Sequence, residues 1–293
     1  FLFLLKTIFC VVIRNKGSLK KTAHYLSSYS TFGDIIINKL KNYLKEKKLR
    51  SIIMPYEGQP FQQMIFNYAK KNNSKIKTIG YAHDAEPLQF HLFHRQGSPD
   101  KMLIQARCRK KYFNKYLNWP LHKLRHIPSI RHRYDNYKYL VNGVIFFPSG
   151  IYDEKKIVDE FENFLKFSKT KSLYPLKVRK HPKSFRPELQ NKLKIKLEIL
   201  IKKYKNRFSK KMSRKKMIIA VGASSLPIIA LEKSMEVIHI CMEPTYQVYS
   251  EEIWPDIKVD QLSSNVFRYS LRNFGKCLTF GKEKNMFNKY CDI

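Results

Sequence analysis

The chain has 293 residues, with 57 Lys and Arg against 23 Asp and Glu, a formal net charge of +34. At roughly 100–200 residues per domain, that length predicts one large or two medium domains. Hydrophobic residues make up 43% and aromatics 14%, enough for a sizeable core, which argues against a globally disordered chain.

The charge favours an acidic ligand, substrate or surface: nucleotide, phosphate, nucleic acid or anionic lipid. Lys, Asn, Ile, Tyr and Phe are abundant together, a pattern that A/T-rich coding alone produces, so bulk charge does not single out nucleic acid. The cysteines, Cys10, Cys108, Cys241, Cys277 and Cys291, form no CxxC pair, which fits a reduced chain without structural zinc.

The opening FLFLLKTIFCVVI reads as a buried strand. It falls short of the roughly 20 apolar residues that span a bilayer. It also lacks the basic start and small-residue cleavage site of a signal peptide. Ile35, Ile36, Leu40, Tyr43 and Leu44 recur at helical spacing. SIIMPY (51–56) reads as a strand, and Pro60 then opens a helix with Phe61, Met64, Ile65, Tyr68 and Ala69 on its inner face. IKTIGYA (76–82) and residues 101–105 are predicted strands, the second followed by a basic helix to about Tyr116.

Pro120, Pro128 and several His and Arg then interrupt the rhythm, and a linker is predicted over 126–142. GVIFFPSG (143–150) begins a second cycle: helix 153–167, strand 173–179, helix 187–204, strand 216–221, helix 225–233 and strand 236–241. Alternating strands and helices on both sides of a linker predict two α/β units with parallel sheets. Ligands of such sheets bind at the carboxyl ends of the strands, so the polar residues just after each strand carry the functional signal.

Three strand ends stand out. At Tyr56-Glu57-Gly58-Gln59-Pro60 a carboxylate precedes a helix start, and such a Glu can act as general base on a hydroxyl or merely serve the helix's first turn. Arg179-Lys180-His181-Pro182-Lys183 places a His among three cations, suited to a phosphate or to a plain solvated loop. Val221-Gly222-Ala223-Ser224-Ser225 leads a strand into a helix, either as a phosphate cradle or as a simple N-cap.

The order EG, HP, SS resembles the bacterial sialyltransferases and related transferases of capsule and lipopolysaccharide synthesis, over about residues 50–245. YEGQPFQQMIFNYAK followed by IGYAH is similar to uncharacterised surface-carbohydrate biosynthesis proteins. The resemblance implies a GT-B-like α/β fold: two Rossmann-type domains with parallel sheets and a cleft between them. The expected division is an acceptor-side domain over 1–125 and a nucleotide-sugar domain over 143–293.

It further implies Glu57 as general base, His181 on the donor phosphate and as acid toward leaving CMP, and Ser224 and Ser225 as the phosphate-binding pair. The family's motif has two acidic residues before its Gly, whereas this chain has Tyr56 at the first, which loosens the assignment of the donor class. Arg179, Lys180, Lys183 and Gly222 would complete the phosphate site, and Glu243, just after strand 236–241, reads as a turn residue before Pro244 or as a contact to a ribose. Gly58, Gln59, His83 and Asp84 would face the acceptor.

No DxD motif occurs, so cations and a helix start would replace a metal, and direct displacement predicts inversion at the anomeric carbon. His83, Asp84, Glu86, His91 and His94 include metal-ligand types, but their spacing matches no zinc pattern, and no cofactor beyond the nucleotide sugar is expected. The expected partners are that donor and a glycan or lipid-linked glycan acceptor, while the basic run Lys202–Lys216 reads first as a solvated face and second as a peripheral contact with an anionic membrane. The expected location is cytoplasmic, on the inner face of the membrane. Two other readings stay open: a teichoic-acid-type CDP-polyol phosphotransferase, and a non-catalytic nucleic-acid-binding protein supported by charge alone.

Overall fold

The computed structural model describes residues 28–45, 49–138, 140–146, 153–167, 176–179, 186–205 and 216–281. The strand expected at the amino end, the turn after Phe146, and Lys180, His181 and Lys183 lie outside them. The chain is α/β, with one four-stranded parallel sheet and one six-stranded mixed sheet.

Two compact units divide it. The first takes the described residues of Phe1–Ala82, Phe90–Leu103 and Phe113–Arg125, and the second those of His83–Gln89, Ile104–Tyr112 and His126–Ile293. The boundary therefore differs from the expected one. Residues 126–142 belong to the second unit rather than to a free linker, because Ile127, Ser129, His132 and Leu140 are buried in it.

The four-stranded sheet has β1 (Ser51–Pro55), β2 (Lys77–Ala82), β3 (Lys101–Ile104) and β4 (Leu124–His126) adjacent in that order, all of it in the first unit but Ile104 and His126, the last residues of β3 and β4. The three-residue β4 falls where no strand was predicted. The helices of the first unit are α1 (Ser28–Lys45) and α2 (Pro60–Asn72). The helical pattern of α1 holds, but its inner face runs through Gly33, Ile37 and Leu44, while Ile35 and Tyr43 are exposed. Gly33 sets that face: a Cβ there would stand 3.1 Å from the Met64 sulfur and 3.3 Å from Phe61 Cα, so α1 lies close against α2. The face of α2 is likewise turned from the predicted one, with Gln62, Ile65, Phe66 and Ala69 buried.

The second unit receives helix α3 (Lys110–Lys115) only in part, then adds β5 (Val144–Phe146), α4 (Glu154–Phe167), β6 (Lys177–Arg179), α5 (Pro187–Lys203) and β7 (Met217–Val221). It continues with α6 (Leu226–Glu232), β8 (Glu236–Ile240), α7 (Pro244–Gln247), β9 (Ile257–Gln261) and β10 (Val266–Leu271). The sheet order is β6-β5-β7-β8-β10-β9. The four strands β5 to β8 are mutually parallel, whereas β10 runs antiparallel to both β8 and β9. The expectation of a wholly parallel sheet thus needs correction. IKVDQ and VFRYSL are joined by the short turn LSSN, a hairpin too brief for a crossover helix.

Both faces of this sheet are covered, which explains why its strands read as near-continuous apolar runs. Ile145, Ile219, Ile238 and Ile240 pack under α4 and α5, with Phe161 and Leu197. Val144, Ile218, Val237 and Cys241 face the other way, toward α6, Tyr249 and Trp254.

Candidate functional site

In the first unit, Tyr56 and Glu57 alternate in and out of the core. Tyr56 is 1% exposed and its ring packs edge-on to Trp119 at 6.4 Å, so the first position of the expected acidic pair is a core position. Glu57 follows, half-buried. Gly58 turns the chain at φ +66°, and both Gln63 and Arg95 donate to its carbonyl, at 3.2 and 2.9 Å.

Gln62, buried one turn into α2, organises this loop. Its Oε1 accepts the N–H groups of Glu57 (2.9 Å) and Gln59 (3.0 Å), and its Nε2 donates to the Pro55 carbonyl at 2.7 Å. Gln62 and Arg95 escaped the sequence reading. A Gln three residues after a helix-start position is a capping signal, but Arg95 lies 37 positions from Gly58 with no local pattern.

In the second unit, parallel pairing puts the carboxyl ends of β5 to β8 on one edge. The strand order reverses on either side of β5, which makes this edge the switch point where ligands of open α/β sheets bind. Arg179 ends β6, exposed, and Gly222 follows β7. Two strand spacings of about 4.8 Å set these ends roughly 10 Å apart. Glu243 follows β8 on the same edge, exposed, and its carbonyl caps α7 by accepting the N–H groups of Tyr246 and Gln247, both at 3.0 Å.

The loop at Gly222–Ser225 is narrower as a cradle than its sequence suggests. The Gly222 N–H is taken by the Ile240 carbonyl at 2.9 Å, the Leu226 N–H by Ser224 Oγ at 3.3 Å, and Pro227 has none. Among the described residues, the amides of Ala223, Ser224 and Ser225 are the donors left to this loop. Ser225 Oγ accepts the Ala85 N–H at 3.0 Å, so it ties the loop to segment 83–89 and keeps its own proton to donate.

That segment is stitched to the second unit throughout. The Tyr249 hydroxyl is shared between the carbonyls of Ala85 and Ser224. Trp254 Nε1 donates to the Pro87 carbonyl at 3.1 Å, and Gln105 Nε2 to that of His83 at 3.2 Å. His83 and Asp84, expected on the acceptor-side domain, therefore belong with Ser224 and Ser225.

Asp84 lies between His83 and Arg131: His83 Nε2 stands 3.0 Å from one carboxylate oxygen, and Arg131 Nη1 contacts the other. Burial works against its charge, but the His83 hydrogen bond and the charges of His83, Arg131 and His132 outweigh it and hold the carboxyl below its usual range. With Nε2–H given to Asp84, a neutral His83 ring carries its lone pair on Nδ1, the arrangement of an oriented proton acceptor. His132, 3% exposed, bonds Tyr137 through Nδ1, and burial and Arg131 push it down to about 4, so it is neutral beside the pair.

Behind the loop, His239 lies fully buried in the middle of β8. Its Nε2–H donates to the Gly222 carbonyl at 2.8 Å and its Nδ1 accepts from Tyr269 at 3.0 Å, which fixes the tautomer and the turn together. A lone His inside EVIHIC was the signal for it. No protein-family model matches the chain, and no curated protein matches it.

Proposed function

We propose that the chain is a glycosyltransferase with the two-domain plan of GT-B enzymes. It takes a sugar from a nucleotide, best a CMP-activated acidic sugar such as sialic acid or Kdo, and passes it to a surface polysaccharide or lipopolysaccharide. The observation that carries this reading is the carboxyl edge of the second sheet. Arg179, the Gly222–Ser225 loop and Glu243 share one edge at its switch point, a place that suits a nucleotide's phosphates and ribose.

In the reaction, a base takes the proton of the acceptor hydroxyl as its oxygen attacks the anomeric carbon. The bond from that carbon to the phosphate oxygen breaks and CMP leaves. Glu57 is the base and His181 the acid toward the leaving phosphate, with Arg179, Lys180 and Lys183 stabilising its charge. The oriented His83–Asp84 pair serves the acceptor side. No metal is required by this scheme, and the single displacement inverts the anomeric centre. Among the described residues no helix is long and apolar enough to cross a membrane. The proposed site of action is the cytoplasmic side of the membrane that carries the acceptor.

A thermal-shift screen against CMP, CDP, UDP, GDP and a short RNA tests the reading, repeated with His181→Ala. A nucleotide at 100 times its Kd adds about 2.7 kcal/mol of stability. Selective stabilisation by CMP, lost in the variant, is the expected result. A response to UDP or GDP alone overturns the donor class, and a response to RNA alone overturns the transferase. With a donor in hand, Glu57→Gln abolishes transfer while the chain stays folded, and a retained anomer in the product's NMR spectrum contradicts the single displacement.

A further inference from the structure

Two of the five cysteines meet. Cys108 and Cys277 are 169 positions apart, yet their sulfurs stand 3.7 Å from one another as free thiols. The backbone fixes this proximity: the Cys108 N–H donates to the Lys276 carbonyl at 3.1 Å, and the Thr279 N–H to that of Gln105 at 3.2 Å. A disulfide has sulfurs about 2.0 Å apart, so about 1.7 Å remains to close, within the reach of side-chain rotation between two stretches already sewn together.

The two thiols differ. Cys108 is half-buried and open to a small reagent, while Cys277 is fully buried. Contact with Cys108, burial and the nearby Glu232 carboxylate hold the Cys277 thiol well above its usual range. Cys277 is therefore protected from direct attack and placed to react with its neighbour. Cys241, the third described cysteine, is buried beside His239, and its thiol is pushed up to about 12 by burial.

We propose that Cys108 and Cys277 form a reversible oxidation site that closes to an intrachain disulfide when the protein meets a peroxide. The Cys108 thiolate attacks one peroxide oxygen: an S–O bond forms, the O–O bond breaks, and hydroxide leaves. The Cys277 sulfur then attacks Cys108: the S–S bond forms, the S–O bond breaks, and the hydroxyl departs with the Cys277 proton as water. Two electrons pass from the thiol pair to one peroxide, and a dithiol reductant returns them. The bond ties the stretch leading into Arg109 to residues 275–281. Arg109 itself lies buried with its guanidinium 4.5 Å from the Trp254 ring. A bond across 169 positions constrains the unfolded chain, so the oxidised form is the more stable one.

The test treats the reduced full-length chain with an equimolar amount of hydrogen peroxide, followed by intact mass and non-reducing peptide mapping. The expected product has lost two hydrogens, links the Cys108 and Cys277 peptides, melts at a higher temperature, and reverts with dithiothreitol. Cys277→Ser stops at a Cys108 sulfenic acid that dimedone traps, and Cys108→Ser leaves Cys277 unmodified at the same dose. Linkage of Cys108 to Cys10 or Cys291, oxygen addition without linkage, or unchanged reactivity of Cys277 in Cys108→Ser overturns the proposal. If Cys277→Ser does not fold, the Cys108→Ser arm and the peptide map decide alone.

Discussion

A methyl group on Gly58 would sit 1.9 Å from the His91 carbonyl oxygen, at a φ of +66° that side chains already resist. Backbone is met by backbone there, so no side chain can swing aside. Gly58→Ala is expected to destabilise the protein by roughly 2–4 kcal/mol, measured by urea unfolding. A loss under 1 kcal/mol would mean the loop moves aside freely, which would weaken the view that it holds Glu57 in a fixed place. At this scale the sequence was partly legible. The EG pair was visible as a carboxylate and a glycine between a strand and a helix start, and Gly58 takes its positive φ there without strain. The role of Tyr56 was not legible, since strand alternation that sends it inward depends on where the strand's last residue falls. His83 and Asp84 were visible as residues after a strand, but Arg131, 47 positions on, was brought to Asp84 by tertiary folding alone.

The element scale turns on how segment 83–89 meets the start of α6. Ala85 is 1% exposed, and Ser225 Oγ accepts its N–H. Removing that hydroxyl strands a buried donor, which costs about 1–3 kcal/mol. Ser225→Ala is expected to lose that much in denaturant unfolding, while Ser225→Thr, which keeps the oxygen, loses much less. Equal losses in both would assign the cost to packing rather than to the hydrogen bond. Most elements were legible because their periods were strong: α4 buries Ile157, Phe161, Phe164 and Leu165, β7 is an unbroken apolar run, and β8 is apolar around His239. The face of α1 was misjudged because a glycine marked the contact, and hydrophobic periodicity does not see glycine. β4 was missed because three residues carry no period, and the β9–β10 hairpin because its turn lacks the Asn-Gly type of signal.

For the whole molecule, buried histidines set the response to acid. His239 is pushed down to about 4 by burial, and His132 to about 4 by burial together with Arg131. In the unfolded chain both return to about 6.5. Between those values the unfolded state binds more protons than the folded one, so stability rises with pH across the window. It is fully present above about 6.5 and drains away as pH falls toward 4, by about 1.4 kcal/mol per pH unit for each histidine. Asp84, held below its usual range, adds its loss only at lower pH, where carboxylates protonate in the unfolded chain. Glu232 works in the opposite sense, because burial raises its carboxyl despite hydrogen bonds from Gly275, Leu278 and Cys277, so acid relieves rather than adds to its cost.

The net expectation is a chain that is most stable near neutral pH and loses stability steeply below about 6. Its slope in denaturant unfolding should fall by about 1.4 kcal/mol per pH unit in His239→Gln. Gln Nε2 can still reach the Gly222 carbonyl but cannot titrate, so the loop keeps its anchor while the proton linkage goes. An unchanged slope would show that His239 accepts its proton at Nδ1 inside the fold, giving up the hydrogen bond from Tyr269 while its Nε2–H stays on the Gly222 carbonyl.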